Sequence, residues 1–280
     1  MSSGNGKSAL IVEFIGSTGV GKSTLVAAVA KYLSAQGFRV RQAEEAILAC
    51  YGLAFLRGPL VRSVLVHLLA LGPFARYRFT REGFRLSRLA VGSIKRGAGN
   101  FRIGASLLRN FWKRLGAHLL LEGLRDRLAD CDFILWDEGA VHAAHNLFVH
   151  AGTAPDREDV ERFARMVPKP NLLVWVTAPV AQAAGTILRR GHSRVNGTAA
   201  AARAFAEHAQ TAFEVLSAVE GVRERLYRIE NPARGPDESA AAIQARASLI
   251  GEFLKQRLQG RREEAAGRAC ASADLRNVEA

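Results

Sequence analysis

The stretch Ala9-Leu-Ile-Val-Glu-Phe-Ile15, followed at once by Gly16-Ser-Thr-Gly-Val-Gly21-Lys22-Ser23-Thr24, decides the fold class of this chain. The first seven residues are mostly apolar and include β-branched side chains, which is typical of a buried strand in a parallel sheet. Leu25, Val29 and Leu33 follow at helical spacing, which predicts a helix. The segment between them has the form G-x-x-x-x-G-K-[ST], so the sequence predicts a phosphate-binding loop.

The residue types of this loop suit a nucleotide. Glycines let backbone N–H groups approach phosphate oxygens, and the start of a helix adds a favourable partial charge. Lys22 can reach the β- and γ-phosphates of ATP, and the Ser23 hydroxyl can bind Mg²⁺. We therefore predict ATP and Mg²⁺ as cofactors. The predicted nucleotide-binding residues are Gly16, Ser17, Thr18, Gly19, Val20, Gly21, Lys22, Ser23 and Thr24.

Further strands are predicted along the chain. They cover residues 38–45, 131–136, 171–177 and 225–231. Because strands alternate with helical segments, we predict an α/β fold of three layers, α/β/α, with a mostly parallel central sheet.

Acidic residues follow the strand predicted over residues 131–136. Ligands of parallel α/β sheets bind outside the carboxyl ends of the strands. Asp137 is the first acid there, and we predict that it holds Mg²⁺ together with Ser23. Glu138 is either a catalytic base or a cap for the next helix.

An arginine cluster comes after the strand predicted over residues 171–177. Arg189, Arg190 and Arg194 lie near Gly191, which predicts a helix end. These arginines either offset the helix dipole or stabilise the charge of a transferring phosphoryl group, and we favour the second role for at least one of them. The predicted catalytic residues are Lys22, Asp137, Glu138, Arg189 and Arg194.

Nearly all of the net charge lies in one part of the chain. Residues 51–114, called here the basic segment, contain thirteen arginines and lysines and one acid, a net +12 of the chain's +13. Solvated helix faces explain any single arginine, but a block of this size indicates a surface for an anionic acceptor, a nucleic acid or an anionic membrane.

The cysteines, the histidines and the apolar stretch of the chain argue against three kinds of structure: disulfides, a metal site and a membrane span. The chain has three cysteines, an odd number, and they lie far apart in sequence at Cys50, Cys131 and Cys270. This pattern favours a reducing, cytoplasmic location without disulfides. His142, His145 and His150 lack a carboxylate or cysteine at ligand spacing, so structural or surface histidines are favoured over a metal site. The apolar stretch over residues 60–71 is shorter than the ~20 residues that span a bilayer, so no transmembrane helix is predicted.

In chain order, these features resemble P-loop kinases of the thymidylate kinase and deoxynucleoside kinase group. The resemblance rests on the phosphate loop, on Asp137, and on the stretch Pro170-Asn-Leu-Leu-Val-Trp-Val-Thr-Ala-Pro179 that leads to the arginine cluster. It implies an arginine-bearing, lid-like segment at residues 186–200 and an adenine-side wall near Asn231.

The chain departs from thymidylate kinases at two places. It has Asp137-Glu138-Gly139 where they have Asp-Arg and an aromatic residue, and Gln42-Ala-Glu44-Glu45 where they have an Asp-Arg pair. At the second place the chain is similar to deoxynucleoside kinases, in which a glutamate after the second strand acts as a base toward a sugar hydroxyl. Whether Glu44, Glu45 or Glu138 is the base stays open.

These interpretations define one expected organisation. A flexible N-terminus (1–8) precedes a single P-loop kinase-like domain (9–258), with the basic segment as a helical insert on the acceptor side, and a C-terminal tail (259–280) that we expect to be frayed. The expected function is ATP-dependent phosphoryl transfer to a small, anionic nucleoside-, nucleotide- or sugar-like acceptor. The alternative is a nucleotide-binding switch or ATPase acting on a polyanion or membrane surface. The sequence leaves open whether the protein forms a homodimer.

Overall fold

The computed structural model describes residues 9–97, 100–231 and 240–278, with side chains as far as residue 267. The predicted flexible N-terminus lies outside these residues. The strands are β1 (Leu10–Ile15), β2 (Val40–Gln42), β3 (Phe133–Asp137), β4 (Leu172–Thr177) and β5 (Leu226–Glu230). The helices are α1 (Lys22–Ala35), α2 (Ala43–Cys50), α3 (Pro59–Arg78), α4 (Arg81–Gly97), α5 (Phe101–Gly123), α6 (Ala143–Phe148), α7 (Arg157–Met166), α8 (Val180–Arg190), α9 (Ala199–Ala218), α10 (Glu220–Arg223) and α11 (Ala240–Val278).

The five strands form one sheet in the order β2-β3-β1-β4-β5, and each neighbouring pair is parallel. Every residue of β1 is buried, as expected for the central strand of a sheet covered by helices. Phe14 of β1 pairs with Asp137 of β3, and Ile15 pairs with Trp175 of β4. The carboxyl ends of three strands therefore meet at one edge, and the predicted parallel α/β fold is confirmed.

Alternate residues of the strands pack into two apolar clusters. Val12 and Leu135 belong to the larger cluster, which includes residues of α1, α9 and α11. Ile11 and Ile134 belong to a smaller cluster with residues of α2, α3 and α5. Because neighbouring residues of a strand point to opposite faces, helices cover both sides of the sheet.

The predicted strand at residues 38–45 is wrong in its second half. The strand ends at Gln42, and Glu44 and Glu45 lie in the first turn of α2. Ala-Glu-Glu-Ala is rich in helix formers, and acids stabilise the start of a helix, so local propensity ends this strand early.

The C-terminal tail differs from the expected frayed segment, because α11 continues to Val278. Its Leu254 is fully buried in the larger cluster. The hydroxyl of Tyr32 in α1 donates a hydrogen bond of 2.6 Å to Glu252 of α11. The last helix therefore packs on the helix that follows the phosphate loop.

Helix α3 is longer than the apolar stretch predicted, because it continues through Pro73 to Arg78. By its length and composition α3 could cross a membrane. The mean hydropathy of its most apolar stretch is 1.2, and only 11% of that stretch is buried. Its Val66 and Ala70 are buried, and a Cβ on Gly116 of α5 would lie 2.8 Å from the Ala70 carbonyl oxygen. One face of α3 thus packs closely on α5.

Candidate functional site

The loop between β1 and α1 is held in a conformation that requires glycine. Gly16, Gly19 and Gly21 have φ values of 141°, 86° and 88°, a region that other residues rarely adopt. A Cβ on Gly16 would lie 2.3 Å from the carbonyl oxygen of Val176 in β4. The loop therefore lies directly against the neighbouring strand and ends at the N-terminus of α1, where backbone N–H groups can bind phosphate.

Lys22 is only 5% exposed at the start of α1. Its Nζ donates hydrogen bonds of 2.9 Å to the carbonyl oxygens of Gly16 and Ser17 and lies 3.6 Å from Oε1 of Glu138. Burial lowers the pKa of Lys22, and the nearby Glu138 and Asp137 carboxylates oppose that shift. The loop and the acids thus hold the ammonium group next to the phosphate site.

Asp137 and Ser23, the two predicted metal ligands, lie together. The Ser23 hydroxyl donates a hydrogen bond of 2.5 Å to Oδ2 of Asp137. Oδ1 of Asp137 is buried and has no hydrogen-bond partner among the described residues. Burial raises the pKa of Asp137, whereas the bond from Ser23 lowers it. A carboxylate oxygen without a partner beside a hydroxyl fits Mg²⁺, which prefers oxygen ligands.

The chain has the P-loop NTPase fold. A parallel sheet places the glycine loop on its central strand and Asp137 at the end of the adjacent strand, as P-loop nucleotide sites require.

Glu138 has a strained backbone and lies next to two cations, Lys22 and Arg114, and to the ring of His142. Its φ of 66° is the one positive value for a non-glycine residue in the described part of the chain, and such strain concentrates at functional sites. Arg114 of α5 donates a hydrogen bond of 2.6 Å to its Oε2, and the ring Nε2 of His142 lies 3.5 Å from its Oε1. Burial alone would raise the pKa of Glu138, yet Lys22 and Arg114 lower it.

Glu13 lies fully buried in the middle of β1, below this site. Its carboxylate accepts hydrogen bonds from the backbone N–H groups of Val141 (3.2 Å) and His142 (2.6 Å). A Cβ on Gly139 would lie 2.7 Å from the Glu13 carboxyl group. Burial raises the pKa of Glu13 to about 7. Sequence reasoning missed this residue, although a single acid in an apolar strand is a signal for a positioning role.

Two cavities meet at Glu138. The first, of about 320 Å³, lies over the phosphate loop, and Arg189 and Arg190 of α8 line its far side. The second, of about 240 Å³, lies between β3, α2 and α5. Its polar lining consists of Glu44, Asn110, Lys113, Arg114, Asp137 and Glu138. Lys113 and Arg114 belong to the basic segment, and nothing in the local sequence distinguishes them from its other basic residues.

Arg194, a predicted catalytic residue, is not among the residues that line these two cavities. Its guanidinium donates hydrogen bonds to the carbonyl oxygens of His145 (3.2 Å) and Val149 (3.1 Å) and lies over the ring of Phe205 at 4.9 Å. Burial lowers its pKa to about 10. Arg194 therefore binds the carbonyl end of α6, whereas Arg189 lines the phosphate cavity.

The histidines after Asp137 form part of the interior. His142 and His145 are buried, with ring centroids 5.4 Å apart. Burial lowers the pKa of both well below the usual value, which favours neutral rings. No group of three histidine, cysteine or acidic side chains among the described residues could hold a metal ion.

Comparisons with known proteins add a general likeness. No protein-family model matches the sequence, and no curated protein matches it. Among solved structures, the chain is similar to shikimate kinase from Acinetobacter baumannii in complex with shikimate. The two are 13% identical, the match covers 90% of this chain and 96% of that chain, and the TM-score is 0.38.

Proposed function

We propose that this protein is a kinase that transfers the γ-phosphoryl group of ATP to a small anionic acceptor. The observation that carries the proposal is the meeting of two cavities at Glu138. One cavity has the lining of a phosphate site, and the other has the lining of a polar acceptor site. A nucleotide switch needs only the first.

ATP would bind with its phosphates in the glycine loop, next to Lys22. Arg189 and Arg190 line the far side of that cavity, where their charges can stabilise the negative charge of the transferring group. Ser23 and Asp137 would hold Mg²⁺. That ion, when bound, neutralises charge on the β- and γ-phosphate oxygens.

The acceptor would bind in the cavity lined by Lys113, Arg114 and Glu44. The two cations suit a phosphate or carboxylate group of the acceptor. We assign the role of base to Glu44, because the two oxygens of Glu138 lie 3.6 and 2.6 Å from Lys22 and Arg114, whereas Oε1 of Glu44 lies 3.9 Å from Nζ of Lys113 and its Oε2 is in no ion pair among the described residues. In the transfer, an acceptor hydroxyl oxygen forms a bond to the γ-phosphorus, its proton passes to Glu44, and the bond to the β–γ bridging oxygen breaks.

The size of the cavity and the resemblance to nucleoside and nucleotide kinases support an acceptor of nucleoside, nucleotide or sugar type. The test is incubation with γ-labelled ATP and a panel of nucleosides, nucleotides, sugars and sugar phosphates. We expect one class to become labelled. ATP hydrolysis stimulated by nucleic acid or vesicles, without any labelled product, would instead support the switch or ATPase.

Glu44→Gln tests the base. We expect the variant to bind ATP normally and to lose acceptor phosphorylation by about a hundredfold or more. Glu45→Gln is the matched control, because Glu45 is exposed and does not line the cavity. Equal activity of the two variants would exclude Glu44 as the base.

Asp137→Asn tests the metal site. The amide is a weaker ligand for Mg²⁺ than the carboxylate, so we expect half-maximal activity at a higher Mg²⁺ concentration and a lower maximal rate. The measurement is initial rate against Mg²⁺ at saturating ATP. An unchanged Mg²⁺ dependence would move the metal role to another residue.

A further inference from the structure

Exposed apolar side chains are concentrated in the basic segment. Of the eleven large exposed hydrophobic residues among those described, ten lie between Tyr51 and Phe101. They are Tyr51, Phe55, Leu60, Val61, Val64, Leu68, Leu71, Phe79, Phe84 and Phe101. Scattered apolar residues are normal on a protein surface, but a contiguous set marks an interaction surface.

Five of these residues form a continuous stripe on α3. At 100° per residue, Leu60, Val61, Val64, Leu68 and Leu71 fall within an arc of about 100°. The stripe is about 16 Å long. Arg62 lies outside this arc, and its guanidinium donates a hydrogen bond of 2.8 Å to the Leu56 carbonyl oxygen.

Basic residues flank both ends of the stripe. Arg57 precedes α3 and is exposed, and Arg76 and Arg81 are exposed where α3 passes into α4. Phe79 is 89% exposed in the same turn. Phe84 lies next to two more guanidinium groups, those of Arg78 at 5.1 Å and Arg88 at 5.9 Å from its ring centroid. Apolar and basic groups therefore alternate across this corner.

We propose that the stripe on α3 and its flanking arginines bind the surface of an anionic lipid bilayer. Helices that lie in the membrane interface have an apolar face and basic flanks, and two such signals together give stable attachment. Because the opposite face of α3 packs on α5, the helix would lie on the membrane rather than cross it. The anionic leaflet faces the cytoplasm, in agreement with the location predicted from the cysteines.

The charge and the apolar stripe together favour a bilayer over two other partners, a second copy of the chain and a nucleic acid. A second copy of the chain would bring two segments of net +12 together, which repel each other. A nucleic acid would pair with the arginines but would leave the aliphatic stripe without an apolar partner. A bilayer with anionic headgroups matches both features.

Membrane attachment also extends the proposed function. Val66 of α3 lines the acceptor cavity, and Lys113, another lining residue, donates a hydrogen bond to the Ser63 hydroxyl of α3. The stripe and the wall of the cavity are therefore two faces of one helix. Binding would hold the acceptor cavity next to the membrane surface.

Vesicle sedimentation with the full chain tests the surface. We compare vesicles of phosphatidylcholine with vesicles of phosphatidylcholine and phosphatidylglycerol in equal amounts. We expect at least about tenfold tighter binding to the anionic vesicles, weakening as salt rises. Equal binding to both vesicle types, or no binding to either, would overturn the proposal.

Two leucines of nearly equal exposure provide a matched pair. Leu68 in the stripe is 56% exposed, and Leu249 in α11 is 57% exposed. We expect Leu68→Asp to weaken binding to anionic vesicles by at least about tenfold and Leu249→Asp to change it less than about twofold. Circular dichroism checks that both variants are folded. Equal effects of the two substitutions would overturn the role of the stripe.

A second pair tests the arginines at constant net charge. We compare Arg76→Gln, Arg78→Gln and Arg81→Gln in one variant with Lys31→Gln, Arg127→Gln and Arg223→Gln in another. We expect the first to weaken vesicle binding on the order of a hundredfold and the second much less. Equal losses would show an effect of overall charge alone and overturn a local surface.

The other occupants give distinct results. A dimer detected by light scattering and abolished by Leu68→Asp, without vesicle binding, would assign the stripe to a second copy. Tight binding of duplex DNA that Leu68→Asp leaves unchanged, again without vesicle binding, would assign the arginines to nucleic acid. Phosphorylation of a soluble acceptor reports on the kinase proposal separately.

Discussion

Lys22 lies inside the loop that it is expected to serve, with its ammonium bound to the Gly16 and Ser17 carbonyl oxygens. The Lys22 side chain is only 5% exposed. Its position is set by tertiary contacts with Glu138 and by the start of α1. The charge is therefore already placed before any nucleotide arrives, which favours electrostatic stabilisation of the transferring phosphoryl group.

Lys22→Ala should nearly abolish phosphoryl transfer. Because the charge acts on the transition state, we expect kcat to fall by about a hundredfold or more, with the fold intact. Lys31→Ala, at an exposed position of the same helix, should retain parental turnover. The measurement is labelled product at saturating ATP, with thermal unfolding of both variants. Parental turnover in Lys22→Ala would refute the phosphate-loop role.

The buried carboxyl group of Glu13, which bonds to the turn after β3, should make the free energy of unfolding depend on pH. Its pKa of about 7 in the folded protein lies above the ordinary glutamate pKa of 4.5. A raised pKa means that the folded state binds the proton more tightly than the unfolded state does. The stabilising contribution of Glu13 is therefore complete below pH 4.5 and is lost as the pH rises through 7.

Glu13→Gln should remove this dependence. Between pH 4.5 and pH 8, the free energy of unfolding of the parent should fall relative to the variant by about 3 kcal/mol. Urea unfolding of both proteins across this range measures the difference, in which contributions from the neighbouring histidines cancel. A difference that stays constant with pH would contradict the buried, titrating carboxyl group.

At the scale of elements, the segment around residues 186–200 has two kinds of arginine. Helix α8 ends at Gly191, which has a φ of 61°, as the sequence predicts. Arg189 and Arg190 precede that point and line the phosphate cavity. Arg194 follows it and bonds to the end of α6. The end of the helix thus separates two arginines that line a cavity from one that joins two elements.

Substitutions by methionine should separate these roles. Arg194→Met takes the guanidinium donor from the carbonyl oxygens of His145 and Val149, and the His145 oxygen keeps the backbone N–H of Val149 as a donor. The loss of a partner for the buried Val149 oxygen should lower the free energy of unfolding by about 1–3 kcal/mol. Arg189→Met should leave stability unchanged and lower kcat by about tenfold or more. Urea unfolding and turnover are measured on both. Unaltered stability of Arg194→Met would contradict the structural role of Arg194.

Local patterns predicted four of the strands closely, and they predicted the positions of the glycine loop before α1 and of Asp137 at the end of β3. These features depend on residues adjacent in sequence, whose spacing is visible without a partner. Glu13 and Arg114 could not be assigned from sequence, because their roles come from contacts across 128 and 24 residues. The second strand is shorter than predicted because the residues of Ala43–Cys50 have a high helix propensity.

At the scale of the whole molecule, α11 closes the face that carries α1. Leu254 is fully buried there, whereas Leu249 of the same helix is 57% exposed. Leu254→Ala should lower the free energy of unfolding by about 2–5 kcal/mol through the cavity that it leaves. Leu249→Ala should have little effect. Urea unfolding of both variants measures this, and equal effects would mean that α11 does not pack as described.

The bond between Asn231 and the phosphate loop has a consequence for synthesis on the ribosome. The side-chain amide of Asn231 donates to the carbonyl oxygen of Val20, 211 residues earlier in the chain. At translation rates of about 5–20 residues per second, the loop waits roughly 10–40 s for this partner. The nascent loop leaves the ribosome early but can acquire its final shape only late, so nucleotide should protect the nascent chain from proteolysis only near the end of translation.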